Sequence, residues 1–118
     1  MDPLYKVKKE CGNNMGLYGI YGSHTTESCP LNNKEFRRLV IDGGPNFKQL
    51  AEKADVKVVG QYHSGLEHTF LWIVDAKDAH TVEKLMIQAD IHKFNALTIV
   101  PLTTFDSVIE KCKMIENT

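Results

Sequence analysis

The chain lacks any long apolar run. Phe70–Val74 is the longest uninterrupted stretch, far short of the ~20 residues a helix needs to cross a bilayer. The opening segment MDPLYKVKKECGNNM has no apolar core of the kind that marks a secretory signal, so a cytoplasmic protein with no membrane partner is expected. Charge of one sign is also missing. The 14 Lys and Arg nearly balance 15 Asp and Glu, which leaves no electrostatic footprint for nucleic acid. Cysteine is scarce: Cys11, Cys29 and Cys112 are odd in number and form no CxxC pair, so thiols are expected rather than a disulfide framework. GxGxxG, P-loop, HExxH and GxSxG patterns are absent. Nucleotide cofactors and standard hydrolase chemistry therefore have no support in the sequence.

What is present is a pattern of short elements. Residues 1–14 are polar and end in Gly12-Asn13-Asn14, and are read as a disordered leader before a single domain over 15–118. Leu17–His24, rich in Tyr and Ile, reads as a strand. Asn32 or Asn33 can cap a following helix with Phe36, Leu39 and Val40 on one face. Gly43-Gly44-Pro45 is expected to break that helix in two. Val56–His63 and His68–Val74 read as a hairpin around Ser64-Gly65-Leu66-Glu67. Ala79, Val82, Leu85, Met86 and Ala89 recur at helical spacing behind Asp78, a possible cap, and Leu97–Leu102 supplies a fourth strand. Phe105–Ile115 reads as an amphipathic C-terminal helix.

The order βαββαβ is that of the ferredoxin-like α+β fold. Phe70, Trp72 and Val74 alternate with Leu71 and Ile73, so both faces of the third strand are apolar, whereas the helices of this fold cover one face. A homodimer or larger homo-oligomer, closing two sheets into a dimeric α+β barrel, is expected.

Topology then gathers chemistry at one end of the sheet. A turn centred between Gly65 and Leu66 sets His63 opposite His68, Gln61 opposite Phe70 and Val59 opposite Trp72. The antiparallel first strand ends nearby at His24, and the loop carrying Glu27 and Cys29 leaves from the same corner. The loop with His92 approaches that end too, while His80 belongs to the other. Imidazole and thiolate are preferred ligands of zinc, nickel and copper. His24, His63, His68 and Cys29 are therefore the expected metal set. A single strand-end histidine is more often a solvated residue, and Cys29 before Pro30 also suits a buried small hydrophobe; convergence of several is what raises the metal reading. His24, His68 and Cys29 are equally the candidates for acid–base or thiolate chemistry.

The run His24-Thr25-Thr26-Glu27-Ser28-Cys29-Pro30, followed by Gly60-Gln61-Tyr62 and by Glu67-His68-Thr69-Phe70, resembles a family of small bacterial and archaeal proteins. That family looks like a branch of the dimeric α+β barrels, the superfamily of muconolactone isomerase and the antibiotic-biosynthesis monooxygenases. The half from Val58 to Leu102 is also similar in layout to small ferredoxin-like nickel-binding proteins. The likeness covers about residues 15–104. It implies a match of His24, Glu27, Cys29 and His68 to the family's motif positions; His63, His92, the Gly43-Gly44-Pro45 break and the polar leader depart from it. The functions it implies are transition-metal binding for storage, sensing or a metal-dependent reaction; a small isomerase or monooxygenase with a histidine general base; or an interaction module without chemistry.

Overall fold

The structure, a computed structural model, describes residues 15–118. The leader expected over 1–14, with Cys11, lies outside the described residues. Four strands, β1 (Gly16–Ser23), β2 (Lys57–Ser64), β3 (Thr69–Ala76) and β4 (Ala96–Leu102), form one sheet in the order β2-β3-β1-β4. Every adjacent pair is antiparallel. Helices α1 (Lys34–Lys53) and α2 (Ala79–Gln88) connect β1 to β2 and β3 to β4, and α3 (Phe105–Glu116) follows the last strand. The chain is thus an α+β protein whose element order is compatible with a ferredoxin-like fold.

Local chemistry explains the elements. Asn33 sits in extended conformation and its Oδ1 accepts from the Phe36 amide at 3.0 Å, which starts α1. Asp78 does the same for α2, accepting from the Thr81 amide at 2.8 Å, and the Thr104 hydroxyl accepts from the Ser107 amide at the head of α3. The face of the sheet under α1 and α2 holds the core: Ile20, Phe70, Val74 and Ala76 from the strands meet Phe47, Ala51, Val82, Leu85 and Met86 from the helices. Trp72 is wedged between Phe70 and Phe47, with ring centroids 4.7 and 4.9 Å away. No residue of α3 is buried.

Two expectations need correction. The first is the broken crossover, because α1 runs unbroken for 20 residues with Pro45 inside it. Interior proline removes one helical donor and crowds the carbonyl four residues back. Here the segment is exposed, so water can satisfy that carbonyl, and a Cβ on Gly43 or Gly44 would meet nothing within 4 Å beyond their immediate neighbours. The second is the hairpin register. Ser64 pairs with Thr69, His63 with Phe70 and Gln61 with Trp72, while Val59 falls at an irregularity between Val58 and Gly60. His63 does not oppose His68. The loop keeps its expected four residues but sits one position later, over 65–68, because His68 belongs to it: its φ of 55° is left-handed and ends the turn, so the extended strand begins at Thr69.

Among the described residues, no helix packs on the other face of the sheet. Strand alternation and register put Leu17, Tyr21, Tyr62, Leu71, Ile73 and Val100 on it, with Tyr21 and Tyr62 exposed. Lys57 and Asp75, paired at the far end, are the charged residues the strands contribute there. Among the described residues no helix is long and apolar enough to cross a membrane.

Candidate metal centre

β1 is the central link of the site. It pairs with β3 and β4 at once, and its final residue, Ser23, lies opposite both Thr69 and Ala96. The next residue, His24, continues the ladder through its amide, which donates to the His68 carbonyl at 3.0 Å. Strand direction alone therefore delivers His24, His68 and the approach to β4 to one corner.

Cys29 arrives there by a folded loop. The Ser28 amide donates to the Thr25 carbonyl and hydroxyl, and the Cys29 amide donates to the Thr26 carbonyl. The Cys29 carbonyl in turn accepts from the Asn32 and Asn33 amides, each at 2.8 Å. Asn33 is the cap of α1, so the helix start and the cysteine are locked together. Arg37, one turn into the helix, donates back to the Pro30 and Leu31 carbonyls. Cys29 itself is fully buried.

One potential ligand atom from each of His24, Cys29 and His68 lies within 4.8 Å of the other two. Two of these residues carry an imidazole nitrogen that needs a partner: His24 Nε2 and His68 Nδ1 are buried and make no hydrogen bond. A buried polar atom left unpaired costs about 1–3 kcal/mol, which a shared cation would recover. Tetrahedral zinc spaces nitrogen and sulfur ligands about 3.3–3.6 Å apart, from bond lengths of about 2.0–2.3 Å. Side-chain adjustments of roughly an ångström close that difference. The three residues fit a metal ion.

His63 stands outside this group of three but beside it. Its ring stacks on that of His24, with centroids 5.7 Å apart and planes within 6°, while the His68 ring is 5.8 Å from His24 and tilted by 59°. Partial burial, and then repulsion from His24 and His68, hold the His63 imidazole below its ordinary pKa. It is exposed and is correspondingly the member of the cluster best placed to meet solvent. Aromatic side chains close the opposite flank. Phe94 lies 6.2 Å from the His24 ring and stacks on Phe36 of α1 at 4.9 Å.

The remaining sequence candidates go elsewhere. Glu27 and Glu67 are exposed turn residues. His92 lies on a single 3-10 turn, Ile91–Lys93, at the expected end of the sheet, but it lines a cleft between α2 and β4 with His80 and Glu83 rather than joining His24. Cys112 is exposed on α3. Sequence reasoning misses Asn95, whose Oδ1 is 2.7 Å from His24 Nδ1. An asparagine just before a strand reads as a turn residue, and no local signal ties it to a histidine 71 positions earlier. No protein-family model matches the chain and no curated protein matches it, so the functional reading rests on this geometry.

Proposed function

We propose that the protein binds one divalent transition ion, zinc, nickel or copper, through His24 Nε2, His68 Nδ1 and Cys29 Sγ. The observation that carries this reading is a cluster of two histidines and a buried thiol in which each histidine also carries a buried, unpartnered imidazole nitrogen. Two nitrogens and one sulfur leave a fourth position for water or for His63, and a protein with three ligands and an open position is suited to sensing, storage or a metal-dependent reaction. The notion of a dimeric α+β barrel belongs to the same proposal: the sheet face that no described helix covers is apolar over most of its length, and a second copy would cover it.

Zinc titration calorimetry on protein purified without a histidine tag tests the metal reading. One ion per chain is expected. His68→Ala should lower affinity by more than about a hundredfold, beyond the loss typical of a supporting residue, and His80→Ala should leave it unchanged. No uptake by the parent, or equal affinity in both variants, overturns it.

A further inference from the structure

We infer that Asn95 is a positioning residue that sets the tautomer of His24 and so turns its Nε2 into a metal ligand. The inference rests on the metal reading above for its purpose, but its geometry stands apart from it.

The argument starts at a backbone carbonyl. The Ile91 oxygen can only accept, and it lies 3.1 Å from the Asn95 amide nitrogen. That contact orients the amide, because the flipped arrangement would set two carbonyl oxygens against each other. Asn95 Oδ1 is thereby aimed at His24 Nδ1, 2.7 Å away. An amide oxygen can only accept as well, so His24 Nδ1 must carry the hydrogen and donate it. A neutral imidazole holds one N–H; the other nitrogen is then left with a bare lone pair. That nitrogen is Nε2, the buried atom without a partner among His24, His68 and Cys29.

The chain of hydrogen bonds is held at both ends by backbone. Ile91 opens the 3-10 turn, which follows Asp90 at a left-handed φ of 62°, and the Asn95 side chain reaches back to it from the head of β4. Asn95 is 9% exposed, so water does not compete freely for its oxygen. The Phe94 ring packs beside His24 and restricts the imidazole from rotating away. Metal-bound histidines commonly donate their second nitrogen to an acceptor of this kind, and losing that acceptor typically costs about 10–100-fold in affinity. A residue that sequence reading assigns to a turn is in this way a determinant of the site.

Two variants separate the acceptor role from mere packing. Asn95→Asp keeps an oxygen facing His24 but loses the donor to Ile91, whereas Asn95→Leu removes both. Nitrogen-15 NMR of the metal-free protein at pH 8 reads the tautomer of His24, and zinc titration reads the affinity. The parent and Asn95→Asp should show His24 protonated at Nδ1, and their zinc affinities should agree within a few-fold. Asn95→Leu should lose that preference and bind zinc about 10–100-fold more weakly. Protonation of His24 at Nε2 in the folded parent overturns the inference outright. So does an Asn95→Asp variant that loses as much affinity as Asn95→Leu, since the Ile91 contact alone would then explain the effect. If the parent binds no zinc, the metal reading fails, and the tautomer measurement on the metal-free parent and Asn95→Asp still decides this inference. If Asn95→Leu does not fold, the same two proteins decide it.

Discussion

Replacing Gly43 by Ala should stabilise the protein, and the size of the gain discriminates between a continuous α1 and a broken one. Glycine in an exposed helix interior is about 0.8–1 kcal/mol less favourable than alanine, because the unfolded chain loses more freedom on folding. A Cβ at Gly43 would find open space, so no steric term opposes the full gain. Gly44 behaves differently although its surroundings are equally open. It precedes Pro45, whose Cδ crowds the Cβ and amide of a helical residue before it. Gly44→Ala should therefore gain less than Gly43→Ala, or lose stability. Pro45→Ala restores a helical donor and relieves the crowded Ile41 carbonyl, worth up to about 3 kcal/mol in a helix interior. For a domain near 100 residues, 1 kcal/mol moves the melting temperature by about 4–8 °C. Thermal melts of the metal-free variants should rank Pro45→Ala above Gly43→Ala above Gly44→Ala. A Gly43→Ala variant that melts at or below the parent temperature would mean that residue 43 is not helical and that the crossover is two helices after all.

Four further outcomes are expected. At His68, where φ is 55°, a side chain costs about 1–2 kcal/mol that glycine avoids; metal-free His68→Gly should melt several degrees above His68→Ala, and identical melts would argue against a left-handed residue there. Zinc affinity should weaken as pH falls, because ligands must shed protons to bind, and calorimetry from pH 8 to 5.5 showing constant affinity would exclude histidine ligation. His63 has its folded pKa held below the ordinary value by burial, with His24 and His68 adding to the effect, so the unfolded chain takes up that proton first and stability is lost as pH drops from about 6.5 through the lower folded value. The loss should be small for so exposed a group. Urea titrations of metal-free protein at pH 8 and 5.5 should show a larger drop for the parent than for His63→Gln, and equal drops would refute the shift. Light scattering should find a dimer or larger oligomer, and Tyr62→Lys, placing a charge on the helix-free sheet face, should shift it toward 13 kDa monomers; a parent that is already monomeric at micromolar concentration removes the barrel proposal.

Strand order and the gathering of His24, His68 and Cys29 were legible in the sequence because they depend on coarse properties. Alternating apolar residues mark strands, and strand direction decides which ends meet, whatever the exact pairing. The hairpin register was not legible, since Ser64-Gly65-Leu66-Glu67-His68 suits a four-residue loop over 64–67 or over 65–68; only the left-handed backbone of His68, which no pattern announces, selects the latter. The helix over Gly43-Gly44-Pro45 was misjudged because local propensity is a weak prior that the surrounding structure overrides. Asn95 meets His24 through a single hydrogen bond between distant segments, a relation that exists only after the sheet has formed.

That last relation bears on how the chain reaches its folded state. β1 is an inner strand that pairs with β3 and β4, and the groups at its end come from the first loop, the hairpin and the approach to the final strand. Such pairings join distant parts of the chain and are slow to form compared with helices and local turns. A partly folded chain holding only the β2–β3 hairpin has His63 and His68 but neither Cys29 nor His24 in place. A chain that has docked β1 on β3 has His24, Cys29 and His68 together, yet lacks the Asn95 acceptor until β4 adds to the other side. If the ion binds as proposed, full-strength uptake is reserved for chains in which all four strands are assembled, and the rate at which that affinity appears during refolding would time the docking of β4.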